Sequence, residues 1–273
     1  MDAMTPLPTE LQRTRFALAD HVACVTLYYP EKLNVWGPVM EAEVRQLLLH
    51  CAANPEVRAI VLTGEGRAFC AGYDMDALQA ASGRPAVAPP ATAPSGDFAQ
   101  RYSYLLAIPK PIVCAINGAA AGVGLVLAMY CDIRWAAQGA KLAPVFARRG
   151  LVAEHGLAWL LPRIVGLPDA LEWLMSARTL DAEQALQLRA VSAVLPAEGF
   201  QAEVLRRVRQ LVSECSPRAL GIIKRQVYGA LFQPLAQAVQ EAEAELPACL
   251  ASEDFKEGVR HFVEKRPARF TGR

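Results

Sequence analysis

Apolar positions fall into three kinds of run along this chain. Between Arg15 and Tyr29 they alternate loosely with polar residues, with Phe16, Val22, Cys24, Val25 and Leu27 as the apolar members. That period of two predicts an antiparallel hairpin. Ala59-Ile60-Val61-Leu62-Thr63, ending at Gly64, and Pro111-Ile112-Val113-Cys114-Ala115-Ile116 are apolar almost throughout. Such short continuous runs suit strands buried on both faces of a parallel sheet. Between Val39 and Cys51, Met40, Val44, Leu47, Leu48 and Cys51 form one helical stripe, which Asn54-Pro55 ends. The succession strand, helix, strand predicts crossover units and a mostly parallel sheet, an α/β fold.

From Gly156 onward the pattern is helical: Leu157 to Ile164, Pro168 to Ser176, Asp181 to Leu188, Ala197 to Cys215, Pro217 to Leu231, Pro234 to Leu250 and Glu253 to Glu264. Asp181 followed by Gln184 reads as a capping box, and Ser216 before Pro217 as a cap before an N1 proline. Alanines along Leu235 to Leu250 allow close helix packing, including against another subunit. Between Leu78 and Phe98 the composition turns to Ala, Pro, Ser and Gly. Its centre, Ala86 to Pro94, reads as a loop, either a lid over a site or a tolerated surface insertion.

Chemistry enters at two strand ends. Phe69-Cys70-Ala71-Gly72-Tyr73-Asp74 follows the first buried strand, and Asn117 to Gly124 turns the second into an apolar helix. Small residues let a ligand approach the main chain, and a helix beginning near Val123 leaves its first N–H groups unpaired at a positive dipole end. Two such turns meeting at one point would hold an oxyanion.

The bulk numbers narrow the partners. In 273 residues, 28 Lys and Arg nearly cancel 27 Asp and Glu, for a net charge of +1. Nucleic acid is therefore not the expected partner. The N-terminal stretch Met1 to Leu11 lacks an apolar h-region, and the apolar run Gly118 to Tyr130 is too short to span a bilayer. The expectation is a cytoplasmic protein with no membrane partner. Seven scattered cysteines without a Cys-x-x-Cys pair, and four histidines without ligand spacing, argue against disulfides and metal.

Taken in order, Pro30, Asn34, Phe69 to Asp74, Lys110-Pro111, Asn117-Gly118, Cys131-Asp132, Gly150-Leu151, Leu161-Pro162-Arg163 and Phe262 to Arg266 resemble the crotonase superfamily, the enoyl-CoA hydratases and isomerases. The likeness runs from Arg15 to Phe270. It implies a right-handed spiral of ββα turns holding an acyl-CoA site (residues 1–195), then a C-terminal helical region (196–273) that drives trimerisation, commonly as a dimer of trimers. It places the two oxyanion donors on the backbone N–H groups of Tyr73 and Val123, within the small-residue turns of Ala71, Gly72 and Gly122. Many members carry Gly where Val123 stands, so a β-branched side chain is expected to narrow the approach. Trp36 and Phe146 are expected to line the acyl site, and Phe262 and Lys265 to contact the nucleotide part of coenzyme A. Coenzyme A arrives as part of the substrate, and no separate cofactor is implied.

An enolate needs a base as well as donors. The superfamily's two hydratase glutamates match Val126 and Phe146, neither of which moves a proton. A third position used by double-bond-shifting members is Glu154, in Arg149-Gly150-Leu151-Val152-Ala153-Glu154-His155-Gly156. Its apolar neighbours would raise its pKa, although an acid just before a helix also serves as a cap. His155 is expected to point away from it, and Asp74 to cap the next helix. Glu154-dependent isomerisation is the favoured activity. A hydratase using Glu154 and a water, or a silent acyl-CoA binder, are the alternatives.

Overall fold

The computed structural model describes residues 10–81 and 96–273. The Ala86 to Pro94 loop expected from the sequence lies outside them. The chain opens with the hairpin β1 (Thr14–Ala19) and β2 (Val22–Leu27), closed by a two-residue turn in which Asp20 and His21 both have positive φ. Helix α1 (Pro38–Ala53) leads to β3 (Ala59–Gly64), β4 (Ala68–Cys70) and α2 (Met75–Ala81). After α3 (Tyr104–Ala107) come β5 (Ile112–Ile116), β6 (Ala119–Ala121) and α4 (Val123–Met129), then β7 (Ile133–Ala137) and β8 (Lys141–Ala143). Helices α5 (Leu157–Val165) and α6 (Leu167–Ser176), strand β9 (Leu180–Asp181), helix α7 (Ala182–Gln187) and strand β10 (Ala193–Leu195) complete the sheets. The rest is helical: α8 (Phe200–Glu214), α9 (Pro217–Gly229), α10 (Leu235–Leu250) and α11 (Glu253–Glu264).

Two sheets result, one of six strands in the order β1-β2-β3-β5-β7-β10 and one of four in the order β4-β6-β8-β9. Each long strand β3, β5 and β7 is followed by a short partner, β4, β6 or β8, that turns into the second sheet. The chain thus climbs in ββ steps through two layers. Asn34 and Asn117 pin the corners: Asn34 Nδ2 donates to Glu65 O and Ala68 O, while Asn117 Oδ1 accepts the Gly64 N–H and its Nδ2 donates to Gly66 O.

The large sheet is covered on both faces, which explains its unbroken apolar runs. Ala23, Val25, Ile60 and Leu62 face the main core with α1 and α4, and Val22, Cys24, Ala59 and Val61 face Phe200, Val204, Val208 and Val212 of α8. The last strand ends at residue 195, but α8 beyond it is a layer of the sheet's own core. The two expected caps form: Asp181 and Gln184 exchange both capping-box bonds, and Ser216 Oγ accepts the Ala219 N–H.

Helix α9 is held by a buried ion pair. Lys224 Nζ lies 2.8 Å from Asp132 Oδ2 and donates to the carbonyls of Leu105 and Lys110. Asp132 also accepts from the Ile112 N–H at 2.7 Å and from Tyr228 Oη at 3.0 Å. Burial raises the pKa of Asp132 and lowers that of Lys224, against the opposing pull of each on the other. Lys224→Met strands the Asp132 charge in the interior. It is expected to lower stability by about 3–5 kcal/mol in urea denaturation at neutral pH. Because Asp132 titrates above its unfolded value, the loss should shrink as pH falls and the carboxyl is protonated.

Candidate active site

Strands β4 and β6 run parallel, Ala68 beside Ala119 and Cys70 beside Ala120, so the turns at their C-terminal ends emerge together. Gly72 has φ +97° and Gly122 +52°. A methyl added to Gly72 would stand 2.9 Å from Ala121 O, and one on Gly122 would stand 4.0 Å from Gly72 Cα. The two backbones approach this closely because neither carries a Cβ. Trp36 N–H donates to Gly72 O at 2.7 Å, and Gly122 N–H donates to Ala143 O at 3.1 Å. The next N–H groups, those of Tyr73 and Val123, find no acceptor among the described residues. Val123 opens α4, whose cap residue Gly122 offers no side-chain bond, so the helix's positive end is bare there.

The Val123 side chain is packed into the main core. The first residue of α4 thus buries its branched side chain among core residues. Val126 and Phe146 are buried in the same core, and Phe146 is not among the residues lining the cavity described below. Trp36 is also below the surface rather than on the cavity wall. It supports the first turn from beneath, bridging Tyr73 by its backbone and packing edge-on to Tyr102.

Glu154 and His155 come to the same side. His155 adopts a left-handed φ of +57°, which an L residue rarely takes. Its Nε2 lies 3.8 Å from Glu154 Oε2, close but beyond hydrogen-bond length. The expectation that these neighbours point apart fails because the left-handed residue reverses the chain locally. Tyr130 Oη donates to His155 O at 2.8 Å and holds that geometry. Glu154 is no side-chain cap, since the cap of α5 is Gly156. Asp74 does cap, accepting the Asp76 N–H at 2.9 Å.

Glu154 is half-buried, and burial raises its carboxyl pKa against the opposing charge of Arg101. Leu157 beside it is buried, although Val152 is exposed. Burial, then the Arg101 charge, lowers the His155 pKa and leaves its imidazole neutral at pH 7. Arg101 itself is clamped by both Glu41 oxygens, and Trp36 Nε1 donates to Glu41 Oε2 at 3.2 Å. The guanidinium sits 5.8 Å from the Tyr73 ring centre and 5.4 Å from that of Tyr102. A cavity of about 350 Å³ opens beside His155 and runs past Tyr102 and Trp159 to Phe232. Phe262 is exposed near the end of α11, and Lys265 is its left-handed cap; no bond ties either to these turns among the described residues.

A family model described as enoyl-CoA hydratase/isomerase matches residues 18–273. The chain belongs to the enoyl-CoA hydratase/isomerase family. A probable enoyl-CoA hydratase of Rhodobacter capsulatus is 36% identical over 260 residues, covering 95% of this chain and 98% of that one. The 1,2-epoxyphenylacetyl-CoA isomerase of Escherichia coli K12 is 32% identical over 258 residues, covering 92% and 95%. Among solved structures, a putative enoyl-CoA hydratase from Streptomyces coelicolor A3(2) superposes with a TM-score of 0.85 at 32% identity, over 97% and 96% of the two chains. A probable enoyl-CoA hydratase/isomerase from Mycobacterium abscessus gives 0.85 at 27%, over 95% and 99%. The expected α/β crotonase fold is thereby established for this family member, with a helical C-terminal region. No helix of the described residues is long and apolar enough to cross a membrane.

Sequence reading missed Arg101 and Glu41. They stand 60 residues apart, and neither sits in a recognisable pattern. Gly72→Ala is the sharpest test of the paired turns. The added methyl meets Ala121 O while φ stays positive, a strain of about 1–3 kcal/mol that the turn relieves by moving. The variant should stay folded by circular dichroism but bind a saturated acyl-CoA at least tenfold more weakly by calorimetry.

Proposed function

We propose that this chain stabilises a thioester enolate between the Tyr73 and Val123 N–H groups. Glu154 shuttles one proton between carbons of an enoyl-CoA, shifting its double bond. The observation that carries this reading is the contrast between Glu154 and the two other acid positions. Glu154 stands half-buried, 3.8 Å from His155, whose ring meets that of Tyr73 at 6.5 Å. Val126 and Phe146 are buried apolar groups. With one carboxylate in place, removing a proton and returning it on the same face is the chemistry the site can complete. The thioester oxygen gathers charge in the transition state, where each N–H donor contributes about 3 kcal/mol. Burial keeps the Tyr73 phenol protonated, which suits a wall better than a base.

The same reading assigns Phe262 and Lys265 to the nucleotide end of coenzyme A, and a homotrimer or dimer of trimers to the assembly. Exposed apolar residues on α10 (Leu235, Val239, Leu246) and α11 (Val259, Phe262, Val263) support a further copy covering that face.

Incubation with a 3-enoyl-CoA should yield the 2-enoyl isomer, and Glu154→Gln should slow that conversion by about 10²–10⁴-fold. Rapid hydration of crotonyl-CoA that survives Glu154→Gln would overturn the assignment, and tight binding with no turnover would make the protein a silent binder. The base works ionised, so activity is lost as pH falls through the raised Glu154 pKa, giving an acid limb above the ordinary glutamate range. Arg101 holds that value down, so Arg101→Met should move the limb to higher pH in a pH–rate profile.

A further inference from the structure

The wall of the cavity beside His155 is largely aromatic. Phe98, Tyr102, Tyr130, His155, Trp159 and Phe232 all contribute to it. Phe232 stacks on Trp159 with ring centres 5.2 Å apart and planes 11° from parallel, and Phe98 meets Phe232 edge-on at 5.6 Å. Tyr102 meets His155 edge-on at 5.0 Å. These side chains come from separate parts of the chain: the stretch before α3, the end of α4, the turn into α5 and α5 itself, and the short turn Ala230–Phe232 after α9.

Several polar atoms of this wall are occupied or covered, while the exposed Asp97, Gln100 and Arg101 also line it. Tyr130 Oη donates to His155 O, and Ser103 Oγ donates to Asp97 O. Tyr102 Oη lies by the Tyr73 hydroxyl without a well-directed bond to it. Both Tyr102 Oη and His155 Nε2 are buried beneath the surface, out of solvent contact. An incoming group therefore meets mainly ring faces and C–H edges, with Asp97, Gln100 and Arg101 as the polar part of the lining. At about 350 Å³ the space sits near the lower end of ordinary ligand pockets, roughly 300–1,000 Å³. Phe98 and Leu106 also line a second cavity, of about 570 Å³, against α9.

We infer that the acyl group this cavity selects is a compact, apolar aromatic ring on a short tether to the thioester, rather than a straight alkyl chain. The inference rests on the proposed seating of the thioester at Tyr73 and Val123; the Tyr73 ring meets that of His155 at 6.5 Å, and His155 lines the cavity. A flat ring offers edge-to-face and offset contacts to four or more neighbours at once. A flexible chain of equal carbon number loses rotamer freedom on entry and gains no quadrupole contacts.

The test compares phenylacetyl-CoA with octanoyl-CoA, which have the same number of acyl carbons, by calorimetric titration of the full-length protein. The ring thioester should bind roughly three- to tenfold more tightly. Phe232→Leu should shrink that ratio toward one. Equal affinities, tighter binding of octanoyl-CoA, or a ratio untouched by Phe232→Leu would each overturn the inference. Deuterium exchange at the phenylacetyl-CoA α-carbon in D2O, read in parallel, reports on Glu154 and the oxyanion turns. A ring preference without exchange would leave the inference standing while removing the proposed chemistry, and exchange without a ring preference would do the reverse.

Discussion

The structure turns on a single close approach of two backbones. Gly72 and Gly122 meet at the ends of neighbouring parallel strands, and the N–H group after each has no partner among the described residues. Everything nearby maintains that contact. Asn34 and Asn117 fix the corners leading into the two turns, and Trp36 and Ala143 take up the hydrogen bonds that would otherwise let the turns drift. Two donors fixed in place would need no reorganisation if charge developed between them, as the proposed function requires.

Around this fixed point the candidate site is assembled from separate parts of the chain. The donors belong to the sheet and one helix start, while Glu154 and His155 sit on an irregular turn locked by Tyr130. The cavity beside His155 draws on a third source. Phe232 belongs to the C-terminal region, and it closes the cavity because α9 is anchored to the core through Lys224 and Asp132. The C-terminal helices are thus part of the site's wall, whatever they do at the surface. Arg101 and Glu41 link these parts electrostatically, one pair touching the Tyr73 ring, the Trp36 support and the charge on Glu154.

Most of the large sheet and nearly every long helix were legible in the sequence, because burial on both faces gives unbroken apolar runs and burial on one gives a helical stripe. The second sheet was not. Its strands are two or three residues long, too short to show a period. Pairs such as Ala68–Ala119 are set by where the corners place them. The candidate site divides in the same way: the Gly/Ala turns and Glu154 carry sequence signals, whereas the Arg101–Glu41 clamp joins residues far apart without one.

By itself, the sequence determined the family and the order of most long elements, because each depends on local residue type and spacing. Only the tertiary structure decided how those pieces face one another. It turned the Val123 side chain into the core, swung His155 toward Glu154 through a left-handed residue, and assembled an aromatic cavity from distant segments. Such outcomes depend on which atoms are left unpaired after packing, and that is a property of three-dimensional contact rather than of order along the chain.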